Sequence, residues 1–313
     1  MPRALHPRAF KVTVGWTLAL LFLGSVVHAT ESSLACPDWP TCFGTMVPEM
    51  SGGVFWEHLH RLVAGGLVLM FSLATWLVYQ EARSERWLIK SCWAGLALLL
   101  VQSVFGGLTV LYRLPDLVST THLGLAFGFL ALATSLAAAT SRVGVATSAP
   151  GAGTGARDAG LARWAAVVAF LVFAQSVLGA LVRHMDAGMA CPDAPLCLGQ
   201  VVPPLINAPI ISHFSHRVLA IIVAVAVLAL ALRVRRRESD ATLRTLAGLA
   251  AALVLAQVAL GVASVLTVLA VVPVSLHTLV AAALLSSLVW LAMLSRPMRE
   301  TEPGPAAVAT AAA

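Results

Sequence analysis

The side chains in this chain best suited to metal binding or redox chemistry are histidines and cysteines that recur at a nearly constant spacing. The matched positions lie 155 or 156 residues apart, and they are Cys36 and Cys191, Cys42 and Cys197, His60 and His216, Arg61 and Arg217, and His122 and His277. Self-similarity at one fixed offset indicates a duplicated structural unit. The repeat therefore predicts two equivalent sites, each with one cysteine pair and two histidines.

The cysteines of each pair are separated by five residues, two of which are prolines. The prolines favour a tight loop, and we predict the disulfides Cys36–Cys42 and Cys191–Cys197 in loops on the oxidising side of a membrane. A zinc site would need closer cysteines and further ligands, so it is less favoured. A structural role and a redox role both stay open for these pairs.

The four repeated histidines lie in or beside long apolar segments. A single buried histidine is usually a hydrogen-bonded polar residue, but ionisable residues within a membrane span are costly, and two matched pairs favour a ligand role. Facing histidines on two helices of a four-helix bundle can bind one haem iron axially. Copper or zinc would need further ligands that the helices lack. The sequence therefore predicts two haem sites, His60 with His122 and His216 with His277.

The residues beside the predicted ligands differ between the two copies. Glu57 precedes His60 by three positions, which places both on one helix face, whereas His213 precedes His216. Glu57 is the candidate catalytic residue, with a plain carboxylate at the membrane boundary as the alternative. Arg61 and Arg217, each next to a ligand, are candidates to pair with haem propionates or to extend towards lipid headgroups. A second recurring pattern, a glutamine four residues before a glycine, we interpret as helix packing; it occurs at Gln102, Gln175 and Gln257.

The amino-acid composition indicates that these sites belong to a membrane protein. Hydrophobic residues make up 59% of the 313 residues and charged residues 11%, whereas a soluble domain carries about a quarter charged residues. Stretches long enough to span a bilayer as helices lie at about 12–29, 61–80, 89–111, 118–140, 161–182, 211–232, 244–267 and 273–294. The first could also be a signal peptide, but Gly24 matches Gly179 in the repeat, so we predict a retained helix.

The predicted fold is an all-α integral membrane protein. Its eight transmembrane helices form two tandem four-helix bundles related by a pseudo-twofold axis. The predicted domains are 1–141, a flexible linker at 142–160, a second bundle at 161–299 and a disordered tail at 300–313.

The distribution of basic residues predicts the topology. Of the 20 lysines and arginines, 16 lie in the N-terminal segment, the loops after the even-numbered helices and the tail. By the positive-inside rule both termini are cytoplasmic and the cysteine loops lie outside the cell membrane. The sequence pI of about 9.5 reflects this asymmetry, and nothing in the sequence supports a nucleic-acid partner.

Taken together, these motifs resemble the haem A synthase family. The resemblance is carried by residues 36–42, by Glu57-His58-Leu59-His60-Arg61, by Gln102 and residues 106–110, by His122, and by Cys191, Cys197, His216 and His277. It implies a membrane oxidoreductase that oxidises a methyl group of haem O to the formyl group of haem A for aa3-type terminal oxidases. It also implies contacts with haem O synthase and cytochrome oxidase assembly factors, and it leaves the presence of a homo-oligomer open.

The resemblance also implies a role for each half. The N-terminal half would bind the substrate haem between His60 and His122, with Glu57 near the reacting methyl group and the Cys36–Cys42 loop over the site. The C-terminal half would bind a haem b as cofactor between His216 and His277.

Three other functions fit parts of the pattern. A di-haem cytochrome b-type electron-transfer protein is the main alternative, but it would place haems at both membrane faces, whereas all four ligands here lie towards one face. A membrane thiol–disulfide exchanger would not need four histidines. A transporter is better served by inverted repeats, whereas an even number of helices per copy makes these repeats parallel.

Overall fold

A computed structural model describes residues 4–146 and 158–297 of the chain. Within these ranges, eight helices are long and apolar enough to cross a membrane. They are α1 His6–Ala29, α2 Gly52–Glu81, α3 Arg86–Leu111, α4 Asp116–Ala146, α5 Ala159–His184, α6 Ala208–Arg237, α7 Ala241–Leu266 and α8 Val271–Ser295. The predicted all-helical membrane fold is confirmed.

The helices begin earlier than the apolar stretches suggest. Helix α2 starts at Gly52 rather than near residue 61, because polar residues in its first two turns lower the hydropathy without interrupting the helix. Helix α6 starts at Ala208, where the side chain of Asn207 accepts a hydrogen bond from the Ile210 amide and caps the first turn. Both histidine-bearing segments therefore extend beyond their apolar stretches.

The first apolar segment is part of the packed structure. Helix α1 packs against α2, α4 and α8, and the side chain of Phe10 is completely buried. Helix α1 is also one of the eight helices long and apolar enough to cross a membrane.

The backbone repeats with the same period as the sequence. Helix α3 begins at Arg86 and α7 at Ala241, and helix α4 begins at Asp116 and α8 at Val271, 155 residues later in both cases. Non-glycine residues with positive φ recur at the same offset, in the pairs Glu31 and Asp186, Phe43 and Leu198, Arg113 and Val268, and Leu114 and Leu269. The duplicated sequence therefore forms duplicated backbone turns as well as duplicated helices.

Helix packing follows the same pattern in each half. Helix α1 contacts α2 and α4, and α3 contacts α2 and α4. In the second half α5 contacts α6 and α8, and α7 contacts α6 and α8. The halves meet through α1 with α8 and through α4 with α5 and α8. These contacts bring the first and last helix of each half to the centre of the protein.

One apolar core extends across both halves within the described residues. Its aromatic centre is Phe71, which packs at 6.2 Å from Phe10 and 5.2 Å from Phe129, measured between ring centroids. The hydroxyls of Thr134 and Ser286 form a buried hydrogen bond of 3.2 Å between α4 and α8. Because interhelical packing, not water exclusion, stabilises helix association in lipid, this shared core joins the halves. The division into domains at 1–141 and 161–299 stays a prediction.

The predicted linker and tail lie largely outside the described residues. Helix α4 continues to Ala146 and α5 begins at Ala159, so the connection between them is shorter than the segment 142–160. The tail at 300–313 falls wholly outside the described ranges.

Replacing Phe71 by alanine should destabilise the protein strongly. Phe71 is completely buried between two aromatic rings, and truncating such a side chain costs about 3 kcal/mol through the cavity it leaves. Leu69 in the same helix is 73% exposed, and Leu69→Ala serves as the matched control. Thermal unfolding in detergent should show a clearly lower Tm for Phe71→Ala alone, and equal Tm values for both variants would contradict the assigned core.

Candidate functional site

Both predicted disulfides are present in the loops that precede α2 and α6. The Cα atoms are 4.8 Å apart in Cys36–Cys42 and 4.6 Å apart in Cys191–Cys197, within the normal range for a disulfide. All four cysteines are buried. The fifth cysteine, Cys92, is a buried free thiol in the apolar core.

An aspartate inside each loop holds the loop in shape. Asp38 accepts hydrogen bonds from the Phe43 amide at 2.6 Å, from the Gly44 amide at 2.9 Å and from the Thr41 hydroxyl. Asp193 accepts the two corresponding amide bonds in the second loop. These bonds, led by that of the Thr41 hydroxyl, lower the pKa of the Asp38 carboxyl because they stabilise its charged form. The loop is therefore bound to an ionised carboxylate at neutral pH.

The two arginines bind the disulfide loops to the helices. Arg61 donates to the carbonyl oxygens of Asp38 and Thr41 at 2.8 and 2.7 Å. Arg217 donates to the carbonyls of Cys191, Asp193 and Leu196, all within 2.7 Å. Each guanidinium is therefore held close to the disulfide loop of its own half.

Glu57 is buried, and each of its two carboxylate oxygens has a hydrogen-bond partner. Its side chain is 5% exposed, one carboxylate oxygen lies 2.6 Å from Nη2 of Arg61, and the other accepts the Cys36 amide at 2.8 Å. It is therefore not a plain surface carboxylate, since it connects α2 to the first cysteine of the loop. The corresponding His213 has a different partner, the Ala187 carbonyl at 2.9 Å.

The four repeated histidines lie at matching depths. His60 and His216 are each eight residues beyond the first residue of their helices, and His122 and His277 are each six residues beyond theirs. At 1.5 Å per residue these positions are about 12 Å and about 9 Å along the helix axis. All four helices start on the same side because consecutive helices alternate in direction.

Each of these histidines packs against a glycine of the preceding helix. A methyl group added at Gly24 would lie 3.0 Å from Cε1 of His60, and one at Gly179 would lie 2.8 Å from Cε1 of His216. Gly106 faces His122 and Gly261 faces His277 in the same way, at 3.0 and 3.2 Å. Any larger residue at these positions would occupy the space of the imidazole.

Three of the imidazoles also contact a glutamine. The Gln175 amide nitrogen lies 3.1 Å from Nδ1 of His216, and the Gln257 amide nitrogen lies 3.1 Å from Nε2 of His277. His122 Nδ1 lies 3.1 Å from the Gln102 carbonyl oxygen. The interpretation of the glutamine–glycine pattern as packing alone was therefore incomplete, because both residues of the pattern contact a histidine. The repeat offset of 155, which relates Gln102 to Gln257, was the signal that could have identified these two; Gln175 corresponds to Leu20 and carries no such signal.

The donor set fits a porphyrin iron. Nδ1 of His60 and Nδ1 of His277 are buried without a hydrogen-bond partner among the described residues, which leaves these rings free to take the tautomer that a ligand requires. The glycine opposite each ring leaves the space that the imidazole fills. Two neutral imidazoles on facing helices are a standard axial set for haem.

Two further histidines meet where the halves adjoin. His28 at the end of α1 and His184 at the end of α5 stack with ring centroids 5.0 Å apart and an interplanar angle of 20°. Arg183 donates to the His28 carbonyl at 3.2 Å. The sequence did not predict this contact, because the two residues do not occupy equivalent positions in the repeat.

The first loop covers its half of the protein more closely than the second loop covers its own. The Trp39 indole lies directly on Gly107 of α3, where an added methyl group would approach its ring to 2.8 Å. The equivalent residues in the second copy are Ala194 and Val262. The contact between Trp39 and Gly107 therefore has no equivalent at the matched positions of the second copy.

Removing the arginine that binds a loop should loosen that loop. Arg217→Ala eliminates three hydrogen bonds to loop carbonyls, and bonds from a charged donor contribute about 1.5–3 kcal/mol each when well formed. Amide hydrogen exchange across residues 191–200 should accelerate by about tenfold or more. Arg113→Ala, at an exposed side chain between α3 and α4, should leave this exchange unchanged. Equal exchange in both variants would show that Arg217 does not hold the loop.

Comparison with known proteins identifies the family. The sequence model of the family described as cytochrome oxidase assembly protein (COX15-CtaA) matches residues 50–289. A protein named heme A synthase from Symbiobacterium thermophilum is 33% identical over 96% of this chain and 98% of its own. One of the same name from Halalkalibacterium halodurans is 27% identical over 94% and 98% of the two chains. A third, from Shewanella oneidensis, is 27% identical over 82% and 86%.

These matches extend across both halves of the chain and include all four helices that carry the paired histidines. The chain belongs to the haem A synthase family of cytochrome oxidase assembly proteins.

Proposed function

We propose that this protein converts haem O to haem A in a membrane, replacing two C–H bonds of one porphyrin methyl group by the C=O bond of a formyl group. This is a four-electron oxidation, in which an external electron acceptor takes up the electrons and dioxygen or water supplies the oxygen atom. The observation that carries the proposal is the asymmetry of two otherwise matched histidine pairs: the first adjoins the carboxylate of Glu57 and the second adjoins His213. The family to which the chain belongs supports the same reaction.

The substrate haem binds in the first half, between His60 and His122. Both imidazoles lie near the start of their helices and each faces a glycine, Gly24 or Gly106, so a flat macrocycle can enter between α2 and α4 after modest reorientation of the rings. The Trp39 side chain covers this end of α3 and limits access of water. Exclusion of water protects a reactive carbon from side reactions.

Glu57 acts on the reacting methyl group. It lies one turn from His60 on the same helix, and its charge is balanced by Arg61 at 2.6 Å. A buried carboxylate in this position stabilises positive charge that develops at the methyl carbon and accepts the proton released there. Arg61 keeps the carboxylate oriented, while the Cys36 amide fixes its second oxygen.

The second half binds a haem b between His216 and His277. When bound, this group supplies one-electron redox chemistry. The neighbouring residues suit a retained cofactor rather than a reacting substrate, because His213 bonds to a backbone carbonyl and leaves no carboxylate beside the ligand. Gln175 and Gln257 contact the two imidazoles and orient them.

The protein acts in the cell membrane with both termini in the cytoplasm. The disulfide loops and the four ligands then lie towards the outer face, where disulfides persist. Haem O synthase and assembly factors of the terminal oxidase are the expected partners, since haem O must be delivered and haem A removed without exposure to water. Arg61 and Arg217, each next to a proposed ligand, pair with haem propionates in this proposal, in addition to the loop carbonyls that they bind.

Glu57→Gln should abolish formyl production while substrate haem still binds. The amide keeps the size of the carboxylate and can still accept the Cys36 hydrogen bond, but it carries no charge. General acid–base groups typically contribute 10²–10⁴ in rate, so haem A formation should fall about 100-fold or more. The measurement is chromatography of haems extracted from cells that supply haem O.

The control for that experiment is Glu31→Gln, since the Glu31 side chain is 86% exposed and its charge lies outside the site. Normal haem A production by Glu57→Gln would overturn the catalytic role of Glu57. Haem content without haem A in the wild-type protein would instead favour a di-haem electron-transfer protein.

Crowding the second-half ligand should lower haem b content. His216→Ala removes one axial ligand, and Gly179→Ala places a methyl group 2.8 Å from Cε1 of His216. We expect haem to be lost in the first variant and bound at least about tenfold more weakly in the second, a change equivalent to about 1.4 kcal/mol.

The matched control for the glycine variant is Gly248→Ala in α7, where an added methyl group meets nothing within 4 Å. The measurement is the Soret absorbance per chain of protein purified from cells that lack haem O. Unchanged absorbance in His216→Ala would contradict the assignment of His216 as a ligand.

A further inference from the structure

The disulfide of the first half has a polar neighbour that the disulfide of the second half lacks. One ring nitrogen of His58 and the two sulfurs of Cys36 and Cys42 all lie within 4.8 Å of one another. The three residues are buried, with His58 4% exposed. In the second copy Phe214 replaces His58, and Phe214 packs in the small apolar cluster around Cys191 and Cys197.

The His58 imidazole is not explained by the haem site or by the loop. It lies two residues before His60, which turns it away from that ligand face. Its Nδ1 atom is buried and has no hydrogen-bond partner within the described parts of the chain. A buried polar atom of this kind is costly unless it acquires a partner. The two sulfurs of the disulfide lie within 4.8 Å of one nitrogen of the same ring.

We propose that Cys36, Cys42 and His58 form a binding site for one Cu(I) ion when the disulfide is reduced. Two thiolates and an imidazole are soft to intermediate ligands that favour Cu(I), which accepts three ligands in a plane. Ligand atoms at about 2.0–2.3 Å from a metal are separated by about 3.8 Å in that geometry, within the 4.8 Å already observed. This inference goes beyond the haem reaction and does not depend on it.

Formation of the site balances in atoms and charge. A dithiol reductant transfers two electrons and two protons to the Cys36–Cys42 disulfide, so its own thiols become a disulfide and two cysteine thiols form. Cu(I) then replaces both thiol protons, and the resulting bis-thiolate complex carries one negative charge. The complex lies in the loop whose carbonyls accept hydrogen bonds from Arg61.

Access to the site is provided by the segment after Cys42. The loop residues Phe43, Met46 and Val47 are more than half exposed, so a metal carrier could reach the buried sulfurs from the loop side. Met46 offers a thioether at the surface, and Val201 takes its place in the second copy. The second loop has Met185 and Met189 ahead of its first cysteine, so thioethers alone do not distinguish the copies. Next to the sulfur atoms, the two copies differ in His58, which Phe214 replaces in the second copy.

The test uses the full-length protein in detergent, reduced anaerobically with a dithiol that is then removed. Cys191→Ser/Cys197→Ser supplies the background in which only the first pair remains, and Cys92 is present in every variant. Cu(I) is offered as its bicinchoninate complex, and loss of that complex's absorbance gives the stoichiometry and affinity. We expect one Cu(I) per chain, absent after additional Cys36→Ser/Cys42→Ser substitution.

Two exchanges between the copies test the role of the imidazole. His58→Phe installs the side chain that the second copy holds at this position, and it should weaken Cu(I) binding by at least about tenfold. Phe214→His, in a chain with Cys36→Ser/Cys42→Ser, should strengthen Cu(I) binding by the Cys191 and Cys197 thiols by a similar factor. Circular dichroism and gel filtration report whether each variant is folded. Wild-type affinity in folded His58→Phe, or no Cu(I) uptake by the first pair, would overturn the proposal.

Discussion

The structure depends on the packing of an imidazole against a glycine inside a membrane. Each odd-numbered helix supplies a glycine and each following helix a histidine, in the pairs Gly24 and His60, Gly106 and His122, Gly179 and His216, and Gly261 and His277. A polar ring in hydrocarbon requires space and a partner within the protein, because lipid offers neither. The glycines provide this space and allow close helix approach. The same contact, repeated four times, therefore sets both the helix spacing and the position of the ligands.

Within this duplicated arrangement of helices, a few differences in residue type distinguish the two halves. Glu57 corresponds to His213 and His58 to Phe214, and both differences lie within one turn of the ligand histidines. The duplicated helix arrangement keeps two histidine pairs at the same depth. The proposed division into a reacting half and a cofactor-binding half therefore requires changes only beside these histidines, since the packing that positions them is common to both halves.

The disulfide loops belong to the site rather than to the surface. Arg61 and Arg217 each connect a ligand-bearing helix to loop carbonyls, and in the first half Glu57 adds a bond to the Cys36 amide. A conformational change in the first loop would therefore displace the Glu57 carboxylate directly. This coupling explains why a buried, charge-balanced glutamate can keep its position at the edge of the membrane, where water would otherwise compete for it.

The sequence alone was sufficient to identify the membrane class, the eight helices, the repeat, the disulfides and the histidines, because hydropathy and spacing depend on residue type and not on contacts. It could not give the start of α2, since Glu57 and His58 lower the hydropathy of a segment that is helical. Only the tertiary structure decided which groups meet. Loop carbonyls bind Arg217, and His28 stacks on His184. Such contacts join residues on different elements whose separation along the chain carries no periodic signal, so they are fixed by packing alone.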